Sequence, residues 1–563
     1  MVFSSVEFIL IFLPVFLSAY YITPVSYRNV ILLLGSLIFY AYGEPKFVLL
    51  LIASMFVNYF LARGIVFQNP KSVAVELSVE LPDEKNADLS ISRSFFNKLC
   101  FLIALILNLA LLLVFKIAPG KIGLPLGISF FTFQSISYLI DVYRGEIAAE
   151  VSFIKLGTYI CMFPQLVAGP IVAYHEVEAT LNRPIVSSTD FDDGLKDFSV
   201  GLILKVLMAD RLSLLWNEIA KIGYISAPSF LLWMGSVSYS LQIYFDFFGY
   251  SLMAIGLGKM LGFHLPKNFD LPYTATSIRE FYRRWHMTLG RWFAKYVYIP
   301  LGGSRNGMKK TLRNLFVVWV LTALWHGVSI NFVLWGMLLC FVIMIEKVIA
   351  DICRKKREVA GEKENCLITQ AGKDTVEDDK ERCIDKSENN INGNIEGSIN
   401  RNINGNINGN IEESSKVDFE TTDNDAQNIK EQEDEKLNLK LTSLSALTLK
   451  LKSMLQHSYV LFIIVLSWTC FAITDLTDLS VYLGRMFGVL EGIRVNGNVC
   501  ITMLQKYGVT ILIGLFLCTK TAHRCYRKLK NSRIGMIALV ILFWLAVWYI
   551  HIMGNNPFLY FRF

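Results

Sequence analysis

Apolar runs separated by short polar breaks cover most of the chain. They lie near 5–21, 29–42, 46–62, 99–116, 124–142, 154–170, 197–217, 229–248, 315–329, 332–349, 458–475, 507–519 and 535–552. A helix needs roughly 20 apolar residues to cross a hydrocarbon core ~30 Å thick. Lipid offers no partner to bare backbone groups, so each spanning segment must close its own hydrogen bonds. Several of the runs are short or broken by Gly or Pro. The pattern predicts an all-α polytopic membrane protein with about ten or eleven transmembrane helices plus re-entrant and interfacial helices.

One stretch departs from this pattern. Residues 351–452 open with Arg354-Lys355-Lys356-Arg357, turn acidic, and repeat an Ile-Asn-Gly-Asn unit at 391–394, 403–406 and 407–410. Few aromatics and many charges leave too little apolar surface to offset the entropy of ordering. The expectation is a disordered, low-complexity cytoplasmic insertion between two parts of a membrane core, 1–350 and 453–563. Its leucine-rich end, 437–455, suits a surface helix leading into the next span.

Charge sets the expected orientation, because Lys and Arg concentrate in cytoplasmic loops. No basic segment precedes the first apolar run, which argues against a cleaved signal. The first positive charge, Arg28, follows that run. Arg28, the loop 63–98 with Arg63, Lys71, Lys85, Arg93 and Lys98, the Arg354 cluster and the segment His523-Arg524-Cys525-Tyr526-Arg527-Lys528 all read as cytoplasmic. Both termini then fall outside.

Composition agrees with the pattern. Apolar residues make up 53% of the 563 and the mean hydropathy is +0.44, which excludes an ordinary soluble protein. The net charge of +7 belongs mostly to the cytoplasmic loops and is not a nucleic-acid footprint. The ten cysteines form no CxxC pair, so they read as packing thiols rather than a zinc site or disulfide framework.

The candidate chemistry centres on two histidines. Arg283-Arg284-Trp285-His286 and Leu324-Trp325-His326-Gly327 both lie in or beside strongly apolar sequence. An ionisable side chain is costly in a bilayer, so an intramembrane histidine is a functional candidate by default. A neutral imidazole at His326 can take a proton from a hydroxyl. Gly327 beside it permits close approach of another backbone or a substrate. Residues 279–293 have helical spacing, with Arg283 and His286 as i,i+3 neighbours and Trp285 and Trp292 one heptad apart on one face. Cations interleaved with Trp and Tyr equally suit an interfacial helix with no chemistry. Gly302-Gly303-Ser304-Arg305-Asn306-Gly307 reads as a tight loop carrying a cation, weak as a phosphate motif. Gln134, Asp141, Gln165, Gln242, Asp246 and Asn314 are further polar residues in apolar stretches, and Asp246 is expected to pair with an arginine.

These motifs together resemble the membrane-bound O-acyltransferases, in the branch of the bacterial alginate O-acetyltransferases. The likeness rests on Arg-Arg-Trp-His at 283–286, Tyr-Ile-Pro-Leu-Gly-Gly-Ser-Arg at 298–305 and Leu-Trp-His-Gly at 324–327. It extends to Phe39-Tyr40-Ala41-Tyr42-Gly43-Glu44-Pro45-Lys46, to Phe163-Pro164-Gln165-Leu166-Val167-Ala168-Gly169-Pro170 and to the closing Asn556-Pro557-Phe558-Leu559-Tyr560-Phe561-Arg562-Phe563. Where the family usually has Phe-Ser-Gly-Tyr-Ser-Asp, this chain has Phe247-Phe248-Gly249-Tyr250-Ser251-Leu252. The common Phe-Arg after a late Trp reads Phe471-Ala472 here.

The resemblance implies helices around a thin central funnel in a bacterial cytoplasmic membrane, open to the donor from inside and the acceptor from outside. It maps the family's characteristic histidine onto His326 and a second position onto His286. It implies no permanently bound cofactor, and acetyl-CoA as the donor substrate. The acceptor would be a polysaccharide hydroxyl, reached directly or through an extracytoplasmic SGNH-type partner protein. Trp285, Trp325 and Asn314 join the substrate-binding candidates. Arg283, Arg284 and Arg305 are expected to hold CoA phosphates or the headgroups of membrane lipids. The rival readings are a D-alanyl transferase of the teichoic-acid type, a peptidoglycan O-acyltransferase, and a polysaccharide or lipid transporter with both histidines lining its pathway.

Overall fold

The computed structural model describes residues 2–66, 86–117, 123–167, 169–377, 423–492, 498–554 and 559. Every regular element among them is helical. Among the described residues, seven helices are long and apolar enough to cross a membrane: Val25–Gly43, Val48–Ile65, Phe95–Ile117, Ile330–Glu358, Leu447–Ala472, Asn498–Leu517 and Arg533–Met553. A shorter apolar helix, Phe8–Ile22, precedes them. The protein is thus a polytopic helical membrane protein.

Several of the other expected spans take a different form, and some of them face protein. The run near 124–142 becomes the helix Ile128–Tyr143, which buries Thr132, Gln134, Ser135 and Asp141 along with its apolar residues. The run near 154–170 divides at Met162 into Phe153–Cys161 and Phe163–Leu166, with Pro164 in the first turn of the second piece. The longest inward-facing helix, Ser229–Met260, extends well beyond the expected 229–248.

That helix packs along Ser188–Ile203 through paired glycines. A Cβ on Gly201 would collide with the Gly249 carbonyl, and one on Gly256 with the Gly194 carbonyl. Small residues let two backbones touch where lipid supplies no hydrophobic drive. Close by, Lys205 Nζ lies 2.5 Å from Asp210 Oδ1 and 3.2 Å from Asp246 Oδ1. Asp246 Oδ2 also accepts from the backbone N–H of Leu559 at 2.7 Å. Asp246 therefore pairs with a lysine, not with the expected arginine. Apart from Leu559, the closing motif 556–563 lies outside the described residues.

Residues 1–346 and 456–563 form one compact unit, and Lys347–Leu455 a second. The second unit is helical on both sides of the Asn-rich repeats. The helix Ile330–Glu377 runs well into the stretch expected to be disordered, and Asp423–Ala472 resumes before it ends. Pairs such as Arg354–Asp351 and Lys355–Asp351 lie at helical i,i+3 and i,i+4 spacing. The three Ile-Asn-Gly-Asn repeats lie outside the described residues, as do Lys71 and Lys85 of the basic loop.

Candidate active site

The stretch 279–293 is two helices, not the single one its spacing suggests. Ser277 caps the first, Ile278–Arg284, accepting from the Glu280 N–H at 3.1 Å. Asp270 N–H then binds the Arg284 carbonyl at 3.0 Å, and Met287 N–H binds the Asn268 carbonyl at 2.9 Å. These bonds pull the chain out of helical register. Trp285 is extended and His286 takes the left-handed conformation, φ 44° and ψ 53°. Such backbone in a non-glycine residue costs about 1–3 kcal/mol and persists only when its surroundings over-determine it. The second helix, Met287–Phe293, follows directly. The break sends the two tryptophans to different partners. Trp285 packs on Trp468 with centroids 4.8 Å apart, while Trp292 stacks on Phe133 at 3.9 Å and donates to its carbonyl at 3.1 Å.

His286 is buried, with Nδ1 3.1 Å from Asn268 Oδ1. Its Nε2 has no hydrogen-bond partner among the described residues. Phe247 meets the ring edge-on at 4.7 Å.

His326 is the last residue of the helix Met308–His326, where Gly327 ends the helical conformation. A Cβ on Gly327 would strike the Phe332 ring, so the glycine admits that ring. Trp325, Trp335 and Phe471 surround the buried imidazole at 4.8, 5.0 and 5.3 Å. The His326 carbonyl accepts from Lys116 Nζ at 3.2 Å. Trp325 stands between the histidines, its centroid 5.9 Å from His286. The imidazole centroids are therefore no more than 10.7 Å apart, the sum of the 5.9 and 4.8 Å legs.

Both histidines line one cavity of about 210 Å³, walled by aromatic side chains including Tyr282, Trp285, Trp319 and Trp335. His326 also lines a second cavity of about 140 Å³, with Trp325, Phe130, Lys116 and Glu44. His326 is thus common to the walls of both. The indole N–H groups of Trp325 and Trp335 are buried and have no acceptor among the described residues.

The remaining sequence candidates sit elsewhere. Arg283 and Arg305 are exposed and line neither cavity. Arg284 is bound to Glu280 Oε1 through Nε at 3.0 Å and Nη2 at 2.7 Å. Asn314 is buried and donates to the carbonyls of Leu301 and Gly303 at 3.1 and 3.0 Å, fastening the Gly302-Gly303 turn. These contacts give Arg284 and Asn314 structural duties.

Sequence reasoning missed Lys116, Asn268, Trp335 and Phe471. Lys116 closes an apolar run, and the cost of a charge in a membrane was a signal available for it. Asn268 lies in a polar connection and carried none. Among the described residues no group of three or more His, Cys, Asp or Glu side chains is placed to hold a metal.

A polytopic helical membrane protein with two buried histidines at one cavity defines a class, and comparison with known proteins narrows it. The family model for the membrane-bound O-acyltransferases matches residues 144–359, which include both histidines. The chain is 38% identical over 339 residues to the probable alginate O-acetylase AlgI of Pseudomonas aeruginosa, covering 60% of this chain and 64% of that protein. The Pseudomonas putida protein of the same name is 38% identical over 343 residues, 60% of this chain and 68% of its own length. A peptidoglycan O-acetyltransferase of Helicobacter pylori is 32% identical over 406 residues, 63% of this chain and 72% of its own length. The chain belongs to the membrane-bound O-acyltransferase family.

Proposed function

We propose that this protein is a membrane O-acetyltransferase that moves an acetyl group from a cytoplasmic thioester, acetyl-CoA, to a hydroxyl of an extracytoplasmic polysaccharide. The observation that carries the reading is His326, which borders both cavities within the matched family region. A base in that position can meet a donor entering by one route and an acceptor entering by the other. The names of the acetylases it resembles favour acetyl as the group transferred.

In this reading the acceptor hydroxyl gives its proton to His326 as its oxygen attacks the thioester carbonyl. The tetrahedral oxyanion needs donors fixed in a dry site, and in this reading they are the indole N–H groups of Trp325 and Trp335, buried without an acceptor among the described residues. Collapse expels the thiolate, which takes the proton from His326 and leaves as free CoA thiol. The reaction needs no permanently bound cofactor.

Sidedness follows from charge. The helix Arg28–Gly43 starts at Arg28, assigned to the cytoplasm, so Glu44 at its far end faces out. The second cavity, which Glu44 lines, then receives the acceptor, and the aromatic cavity receives the donor. Helices around a central funnel in the cytoplasmic membrane, both termini outside, complete this arrangement. Transfer to a distant polymer would be finished by an extracytoplasmic SGNH-type partner.

The test is the acetyl content of surface polysaccharide in cells expressing wild type or His326→Ala at equal protein level. The variant is expected to leave the polymer unacetylated. Near-normal acetylation in its presence would remove His326 from the mechanism.

A further inference from the structure

We infer that Asn268 and Thr288 are positioning residues that hold His286 in one tautomer, with hydrogen on Nδ1 and a bare lone pair on Nε2. His286 then serves the site as a hydrogen-bond acceptor and not as an oxyanion donor. The inference rests on the acyl-transfer reading and assigns a role that reading leaves open.

The argument starts from Asn268 Oδ1, which has three neighbours. The backbone N–H of Thr288 lies 3.3 Å away and can only donate. Thr288 Oγ1 lies 2.9 Å away. That hydroxyl accepts from the Ile171 N–H at 3.1 Å and keeps its own hydrogen to donate to Asn268. The backbone N–H fixes the atom facing it as the amide oxygen, to which the hydroxyl then donates, settling an assignment that heavy-atom positions alone leave to the hydrogen-bond network. The third neighbour, His286 Nδ1 at 3.1 Å, must therefore bring a hydrogen as well. In a neutral imidazole the other nitrogen is then an acceptor. That nitrogen, Nε2, has no partner among the described residues, and His286 lines the aromatic cavity.

Asn268 acts on the backbone too. Its carbonyl takes the Met287 N–H at 2.9 Å, next to the left-handed His286. One buried residue thus holds both the main chain and the ring of His286. A partner on the far nitrogen commonly sets which imidazole nitrogen does the chemistry. Within the cavity the bare Nε2 suits an O–H or N–H of substrate. It cannot stabilise a developing negative charge.

The tautomer is readable without activity. Full-length protein carrying ¹⁵N-labelled histidine is reconstituted in lipid bilayers at neutral pH, and the His286 signals are assigned by their loss in His286→Gln. Solid-state NMR is expected to show a protonated Nδ1 and an unprotonated Nε2. Hydrogen on Nε2, or a doubly protonated ring, overturns the inference. Asn268→Asp keeps an acceptor and should preserve both the tautomer and most of the activity. Asn268→Leu should mix the tautomers and lower kcat at least about tenfold at nearly unchanged donor KM. Should the Leu variant fail to fold, the wild-type and Asp spectra still decide. If wild type transfers acetyl groups in a His326-dependent way but Asn268→Leu matches it, the inference fails alone. If wild type transfers none, the acyl-transfer reading fails instead.

Discussion

Lys116 and His326 stand 210 residues apart in sequence, yet the lysine ammonium donates to the histidine's backbone carbonyl at 3.2 Å. His326 ends its helix, where carbonyls lack intrahelical acceptor duty and a cation is favoured by the helix dipole. The lysine is buried and shares the second cavity with that histidine. It therefore braces the last carbonyl of the helix beside the imidazole. A hydrogen bond to a charged group contributes about 1.5–3 kcal/mol, so Lys116→Met is expected to lower kcat roughly 10- to 100-fold, with Lys116→Arg recovering part of the loss. Acetyl transfer by reconstituted protein measures this. An unchanged kcat in the Met variant would show that Lys116 does not position His326.

Loss of a general base typically costs about 10²–10⁴-fold, which is the range expected for His326→Ala. His286→Ala should also be severe. Because both rings line one cavity, their effects should not add: the double variant is expected to be little worse than His326→Ala. Multiplicative losses in transfer assays would mean that the two histidines work independently.

What the sequence disclosed about this site followed the physics of each signal. A buried imidazole in an apolar run stands out from the residues around it, so His286 and His326 were visible before any fold. The helical period across 279–293 was misleading, because the bonds that break the helix come from Asn268 and Asp270, outside the window. The basic residues of Arg-Arg-Trp-His advertised anion binding. In the fold Arg284 is engaged by Glu280 and Arg283 is exposed. Apolar runs located the membrane class but could not separate helices that face lipid from those, such as Ile128–Tyr143, that face protein.

The insertion should be dispensable for transfer. Lys347–Leu455 forms a compact unit separate from the one that holds both histidines and both cavities. Replacing 360–440 with a short Gly-Ser linker is expected to leave acetylation within a few-fold of wild type at equal expression. A well-inserted but inactive deletion would give this segment a catalytic or assembly role.

Arg284 separates a structural from a ligand-binding reading of the basic motif. Its guanidinium binds Glu280 one helical turn back, and Glu280 in turn accepts from the Thr276 N–H at 2.9 Å and the Thr276 hydroxyl at 3.0 Å. The pair thus fastens the start of the helix to its end, immediately before the extended Trp285 and the left-handed His286. Partial exposure limits what such a pair contributes to about 1 kcal/mol. Arg284→Ala should lower thermal stability by a small amount, and Glu280→Ala by more, because it also loses both Thr276 bonds. The double variant should be no less stable than the worse single one. Donor KM should stay near wild type in all three. If Arg284 instead held a phosphate of the donor, Arg284→Ala would raise KM strongly while Glu280→Ala, which removes only one partner of the guanidinium, would not. That asymmetry in KM would return Arg284 to the substrate site.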